Sequence, residues 1–182
     1  MKCSEYYNIR REFQDGDMVL YRGDGIMSKL IQSFDNAYYN HVGMVKKVGD
    51  RLFTVEMWTK GIHFIPLSRR MDSYNDFCVV RVKNKSHDEF SSAIDLLIQQ
   101  IERDVQYDYF LLPRVAFYKK TGIDLVKLGS RNRNICSELA QTFTNSLKVR
   151  CYEDINLITP QDFLRKKDDD EVDILFDLSP KI

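Results

Sequence analysis

The sequence has no surplus of either charge and no long apolar run. Its 182 residues include 27 Lys and Arg against 27 Asp and Glu, so the formal net charge is zero. Proteins that bind DNA or RNA usually carry a basic surplus, because the neutralisation of phosphates supplies much of their affinity. We therefore expect no nucleic-acid partner and no polybasic attachment to a membrane surface.

Segments that would place the chain in or across a membrane are also missing. No run approaches the roughly 20 apolar residues that a spanning helix requires. The N-terminal stretch through Asp17 is polar and charged, so it lacks the apolar region of a secretory signal. The sequence therefore predicts a cytoplasmic protein without an integral membrane segment.

Glycine and proline are scarce, and no linker stands out. The chain holds 8 Gly and 4 Pro, whereas 43% of its residues are apolar and 12% aromatic, enough for a substantial core. We expect one domain over residues 1–182, with peripheral tails at 1–14 and 168–182. The acidic run 168–171 is interpreted as a solvated turn.

The cysteines show neither metal-ligand nor redox spacing. Cys3, Cys78, Cys136 and Cys151 include no C-x-x-C pair, so neither a zinc site nor a thioredoxin-like motif is indicated. In a chain without a secretory signal they are expected to be free thiols. We expect no cofactor and no bound metal.

Hydrophobic periodicity predicts an α+β fold with a mostly antiparallel sheet. Helices are expected to begin at Asp24, at the capping box Ser86–Glu89, near Asn134 and at Thr159–Pro160. The strand-like segments are 18–21, 41–48, 51–57, 62–65 and 77–82, with a hairpin turn at Gly49-Asp50.

The hairpin register places chemically active residues on one face. With the turn at 49–50, Gly43 faces Glu56 and His41 faces Trp58. Gly43 has no side chain, so Glu56 has room to lean towards His41, its diagonal neighbour about 7–8 Å away at the backbone. A histidine oriented by a carboxylate is the general-base half of many nucleophilic sites. The opposite face is apolar and suits a core, with Val42, Met44, Val55 and Met57.

Cys136 is the candidate nucleophile. With Asn134 as N-cap, it lies in the first turn of a helix, where free N–H groups and the helix dipole stabilise a thiolate. If that helix packs on the His41 face, Cys136, His41 and Glu56 form a triad, and the Cys136 N–H is one oxyanion donor. A cysteine on an apolar helical stripe is also commonly a small core residue. His63 is the second candidate base, whereas His87 is explained by its helix-start motif.

Several short motifs, taken in order, resemble a known family. They are Gly16-Asp17, Ser28, Ile31-Gln32, Asn40-His41-Val42-Gly43-Met44-Val45, Glu56-Met57, Gly61-Ile62, Tyr107-Asp108-Tyr109, Ile135-Cys136-Ser137-Glu138-Leu139 and Ile158-Thr159-Pro160. Over about residues 15–165 the chain resembles the YiiX-like branch of the permuted NlpC/P60 (papain-like) cysteine peptidase superfamily. Asn40 departs from the Ser or Thr that relatives often carry, and Met57 from their Ala.

The resemblance implies a circularly permuted papain-like fold, with an antiparallel sheet packed against helices. The family's histidine corresponds to His41, its polar third residue to Glu56 and its cysteine nucleophile to Cys136. It implies a thiol hydrolase of the cysteine peptidase or amidase type. Such an enzyme cleaves an amide bond of a small peptide-like substrate through an acyl-enzyme.

Two other functions are compatible with this fold. The superfamily includes lecithin retinol acyltransferase-like enzymes, so one alternative is a lipid acyl hydrolase or acyltransferase. An aromatic, apolar segment suits the pocket of such an enzyme, with Tyr107, Tyr109, Phe110, Leu111, Leu112, Phe117 and Tyr118. The other alternative is a non-catalytic binding module. The sequence leaves substrate identity and oligomeric state open.

Overall fold

A six-stranded antiparallel sheet organises the fold in the computed structural model. The structure describes residues 3–23, 29, 32, 37–58, 60–73, 76–102, 106–107, 111–123, 133–152, 157–165 and 170–177. The strands of the sheet are β1 (Met18–Tyr21), β2 (His41–Val48), β3 (Arg51–Trp58), β4 (Gly61–Pro66), β5 (Phe77–Val82) and β8 (Val172–Asp177). Their spatial order is β4-β3-β2-β1-β5-β8.

Helices and a short second ladder complete the described structure. β6 (Gln106–Tyr107) and β7 (Arg133–Asn134) form a two-stranded parallel pair. The helices are α1 (Cys3–Ile9), α2 (Leu67–Ser73), α3 (His87–Glu102), α4 (Leu111–Thr121), α5 (Cys136–Ser146) and α6 (Asp162–Arg165), with a 3₁₀ turn at Arg150–Tyr152. The expected α+β class with an antiparallel sheet is confirmed.

The hairpin that carries the candidate site has the predicted register. Gly43 lies opposite Glu56, and Val48 lies opposite Arg51. Gly49 turns the chain with a φ of +57°, a left-handed conformation that favours glycine. β3 continues one residue beyond the predicted end, to Trp58.

The sheet separates two apolar cores. On one face, α3 and α5 pack against β2 and β3, and the shared buried residues include Val42, Met44, Val55, Met57, Leu139, Ala140 and Phe143. On the other face, α1 and α2 cover a smaller core that includes Tyr6, Val19, Tyr21, Val45, Leu52, Leu67 and Met71. The alternation of side chains along each strand therefore decides which helices each residue meets.

Both segments expected to be peripheral tails contribute ordered structure. Tyr6 in α1 and Phe13 are buried in the second core. β8 pairs with β5 and forms one edge of the sheet, with Val172 buried against the first core. The alternating pattern of β8 is short and follows the acidic run, so its strand character is weak in the sequence alone.

Two predicted features fall largely outside the described residues. The helix expected to begin at Asp24 is described only at Lys29 and Gln32. The aromatic segment suggested for an acyl pocket lies partly in 101–112, where the side chains are not described. Among the helices that are described, none combines the length and apolar character needed to cross a membrane.

A buried ion pair fixes the loop that leads into β1. Asp17 is only 1% exposed, and Arg81 binds both of its oxygens, with Nε–Oδ1 at 2.7 Å and Nη2–Oδ2 at 2.8 Å. Burial raises the pKa of the Asp17 carboxyl, and the bonds from Arg81 and the Gln14 N–H oppose that rise. Arg81 therefore compensates a carboxylate that has little access to water.

We expect Arg81→Met to lower the free energy of unfolding by about 3 kcal/mol, because it leaves the buried Asp17 carboxylate without its charge partner. Urea denaturation measures the loss. Arg150→Met is the matched control, since the Arg150 side chain is 86% exposed and surface changes usually stay within about 0.5 kcal/mol. Equal midpoints for the two variants would contradict the assigned role of Arg81.

Candidate active site

Glu56 is a buried carboxylate at the centre of a group of polar side chains. It is fully buried, and its Oε2 accepts hydrogen bonds from His41 Nε2 and Trp58 Nε1, each at 2.8 Å. Its Oε1 accepts from Arg70 Nε at 3.0 Å and from the Thr54 hydroxyl. Both oxygens are thus held by two donors, which fixes the carboxylate plane.

Gly43 gives Glu56 the space that the register predicted. A Cβ built on Gly43 lies 2.5 Å from Glu56 Cγ and 3.2 Å from Oε1. Any larger residue would therefore overlap the glutamate side chain. The absence of a side chain at Gly43 lets Glu56 cross the strand and reach His41.

His41 connects the carboxylate to Cys136. Its Nε2 is bonded to Glu56, and the Cys136 side chain lies close enough to the ring to raise the pKa of the imidazole. The imidazole is positioned by two ring contacts, with centroids 4.8 Å from Trp58 and 6.1 Å from Tyr21.

The charges of these groups support one another. Burial lowers the pKa of His41, but the charge and hydrogen bond of Cys136, together with Glu56, outweigh it and raise the pKa to about 9. Burial also acts against the Glu56 carboxylate, yet His41, Arg70 and Thr54 lower its pKa to about 2. These two shifts favour a charged imidazolium at His41 beside a charged carboxylate at Glu56.

Each of these pKa shifts makes the stability of the folded state depend on pH. The His41 contribution is complete below pH 6.5 and is lost as the pH rises through about 9, because the folded state holds the proton more tightly. The Glu56 contribution is complete above pH 4.5 and is lost as the pH falls towards about 2. Between these limits the pair stabilises the folded state.

The helix that carries Cys136 differs in two respects from the prediction. α5 packs on the face of Val42 and Met44, not on the face from which His41 and Glu56 project. Cys136 nevertheless reaches His41, because it is the first residue of α5 and His41 is the first residue of β2. Contact is made around the end of the sheet.

The N-cap of α5 is Ile135, whereas the sequence pattern had favoured Asn134, which lies in β7. The isoleucine has no polar side chain, so the helix start is stabilised differently. Glu138 turns back and accepts a hydrogen bond from the Ile135 N–H at 3.2 Å. Cys136 therefore lies one position nearer the N-terminus of the helix than predicted. The N–H groups of this first turn have no hydrogen-bond acceptor within the helix.

The sequence did not identify the three other partners of Glu56 as its hydrogen-bond donors. The hairpin register placed Trp58 on the same face, opposite His41, and the alternation of β3 could have added Thr54, two residues before Glu56. Arg70 comes from α2, and its guanidinium lies 4.5 Å from the centre of the Trp58 ring. No pattern in the chain connects Arg70 to the hairpin, because α2 itself was not predicted.

Asn40 fixes the chain immediately before His41. It is buried, its Nδ2 donates to the Gly23 carbonyl at 3.0 Å, and its Oδ1 accepts from the Gly23 N–H at 2.9 Å. This pair of bonds anchors the start of β2 to the segment that follows β1. The Asn in place of Ser or Thr thus has a structural use.

The other candidate residues make no described hydrogen bond to Glu56. His63 lies opposite Glu56 in the register of β3 and β4, but the donors to the Glu56 carboxylate are His41, Thr54, Trp58 and Arg70. The His87 side chain is 77% exposed. Burial raises the pKa of Cys78 to about 12, so its thiol is protonated at neutral pH.

The fold is similar to a known crystal structure. It matches metalloprotein yiiX from Escherichia coli O157:H7 with a TM-score of 0.54 and 19% identity, over 92% of this chain and 98% of that chain. No protein-family model matches the chain, and no curated protein matches its sequence significantly. The chain therefore has a YiiX-like fold, and identity at this level shows the fold alone.

The name of that neighbour raises the question of a metal. Within the part of the chain that the structure describes, no group of three or more His, Cys, Asp or Glu side chains is placed to hold an ion. The chemistry below is therefore derived from the protein groups that the structure describes.

We expect Gly43→Ala to lower the free energy of unfolding by about 1–3 kcal/mol, because the new methyl overlaps a glutamate that four donors hold in place. The pKa of His41, followed by NMR titration, should fall towards its ordinary value as Glu56 is displaced. Gly49→Ala is the control, since nothing lies within 4 Å of its added Cβ. It should destabilise the turn while leaving the His41 titration unchanged, and an unchanged titration in Gly43→Ala would contradict the packing argument.

Proposed function

We propose that the protein is a thiol hydrolase that cleaves an amide bond of a peptide-like substrate. Cys136 is the nucleophile, His41 the general base and acid, and Glu56 the group that orients the imidazole. One observation carries the proposal: the His41 ring is bonded to Glu56 through Nε2 and also interacts with the Cys136 side chain, and both partners raise the pKa of His41. This is the arrangement that an activated nucleophile requires.

The first half of the reaction forms an acyl-enzyme. His41 holds the Cys136 proton, and the thiolate attacks the carbonyl carbon to give a tetrahedral intermediate. The Cys136 N–H, in the first turn of α5, donates to the developing oxyanion. The His41 imidazolium then protonates the leaving amine as the C–N bond breaks, which leaves a thioester on Cys136.

The second half returns the enzyme to its starting state. Neutral His41 removes a proton from water, and the hydroxyl attacks the thioester carbonyl. The C–S bond breaks, the acid product leaves, and the thiolate–imidazolium pair is restored. Glu56 and Trp58 keep the ring in one orientation through both steps, because Glu56 accepts from His41 Nε2 and its carboxylate is fixed by Trp58.

We further propose that the fold is the permuted papain-like (NlpC/P60) fold. The support is the order of the site residues along the chain, with His41 and Glu56 on adjacent strands before Cys136 at a helix start. Papain-like enzymes usually have cysteine before histidine, so permutation accounts for the inverted order.

No described contact favours the lipid or the binding-module alternative. Of the aromatic segment considered for an acyl pocket, Phe117 is 39% exposed and Tyr118 is partly buried. The remaining members have side chains outside the described residues.

Iodoacetamide at neutral pH should modify Cys136 in preference to Cys78, because the thiol of Cys78 has a pKa of about 12. A small reagent is needed, since Cys136 is only 3% exposed. His41→Ala should slow the labelling about tenfold or more, and Cys136→Ala should abolish hydrolysis of a peptide panel. Mass spectrometry of the digested protein locates the adduct. Preferential labelling of Cys3 or Cys78 that His41→Ala leaves unchanged would refute the assignment.

The pH profile of hydrolysis offers a separate test. Activity should fall on the alkaline side near pH 9, where His41 loses the proton that the leaving amine needs. Glu56→Gln removes a charge that raises the pKa of His41, so the alkaline limb should move to lower pH. Glu12→Gln, at an exposed position, should leave the limb where it is. A limb that stays near pH 9 in Glu56→Gln would argue against the proposed pair.

A further inference from the structure

An open cleft lies beside the candidate site and shares Trp58 and Arg70 with it. It has a volume of about 510 Å³. Trp58 lines it and also contacts the His41 ring, while Arg70 lines it and also binds Glu56. A molecule in this cleft would therefore touch two residues that directly position the proposed catalytic group.

The cleft follows the edge of the sheet. Residues 63–66 of β4 all line it, although alternate side chains of a strand point to opposite faces. β4 is the outermost strand on this side of the described sheet. A cleft that runs along such a strand has the shape of an extended polypeptide, which can lie beside an edge strand and bond to its backbone.

The lining of the cleft is basic, in contrast to the neutral chain as a whole. Lys60, Arg69 and Arg70 line it together with His63, and no described lining residue carries a carboxylate. Lys60 and Arg69 are exposed. Arg70 is paired with Glu56, and the exposed side chains of Lys60 and Arg69 add two further cationic groups to the lining. Phe64 adds an exposed aromatic surface to the lining.

We propose that this cleft binds an extended acidic polypeptide segment and so selects acidic substrates for the neighbouring site. The backbone of the segment lies along β4, and its carboxylates face Lys60 and Arg69. The role of the cleft in substrate selection rests on the proposed hydrolase function. Binding itself needs no chemistry at Cys136, so the two can be tested separately.

Trp58 makes the binding directly measurable, because it is the only tryptophan of the chain. The probe is an acetylated and amidated peptide of alternating valine and glutamate, titrated into the Cys136→Ala variant while Trp58 fluorescence is recorded. Its partner carries glutamine in place of each glutamate. The acidic peptide should bind about tenfold or more tightly than the neutral one, with an advantage that high salt removes.

The double variant Lys60→Gln/Arg69→Gln should lose most of this advantage, since both side chains are exposed and their removal does not disturb a core. The matched control is Lys47→Gln/Arg150→Gln, which changes the net charge equally at exposed positions away from the cleft. It should retain the preference for the acidic peptide.

The results separate the two proposals. Equal affinity for the acidic and neutral peptides, or equal losses in the two double variants, would overturn the acidic cleft even if Cys136 proves to be a nucleophile. Selective binding of the acidic peptide supports the cleft even if hydrolysis is never observed. Inorganic phosphate is included as a third titrant. Tighter binding of phosphate than of the acidic peptide would overturn the polypeptide assignment in favour of a phosphate site.

Discussion

The buried carboxylate of Glu56 sets the conditions that the rest of the site must meet. A carboxylate without solvent is costly unless cations and donors surround it, and Glu56 is fully buried. Its four donors come from β2, β3 and α2, so these elements must meet at one place. Charge compensation therefore links the hairpin to α2, and it holds His41 in a single orientation.

The same constraint explains why His41 can serve both faces of the sheet. Glu56 and Arg70 lie on the side covered by α1 and α2, whereas Cys136 belongs to the helix on the opposite side. A side chain in the middle of a strand reaches only one face. His41 is the first residue of β2, where the sheet ends, so its ring can receive support from one layer and meet the sulfur of the other.

Local patterns in the chain were sufficient to predict the register of the hairpin and the space that Gly43 leaves for Glu56. Turn chemistry and strand alternation fix such a register over a few residues. They also located Cys136 at a helix start. They could not supply Arg70, since its approach to Glu56 depends on how α2 folds back after β4. Nor could they decide on which face of the sheet α5 packs, because its apolar stripe fits either face. In the structure α3 and α5 contact each other and share the core with Val42 and Met44.

Trp58 belongs both to the candidate site and to the cleft beside it. Its indole N–H binds Glu56, its ring contacts His41 and the Arg70 guanidinium, and it lines the basic cleft. A ligand that displaced Arg70 from the indole would also disturb the carboxylate, because Arg70 Nε is bonded to Glu56. The proposed acidic segment, held by Lys60 and Arg69, would leave that bond intact. Occupancy of the cleft as proposed is therefore compatible with the support that Glu56 gives to His41.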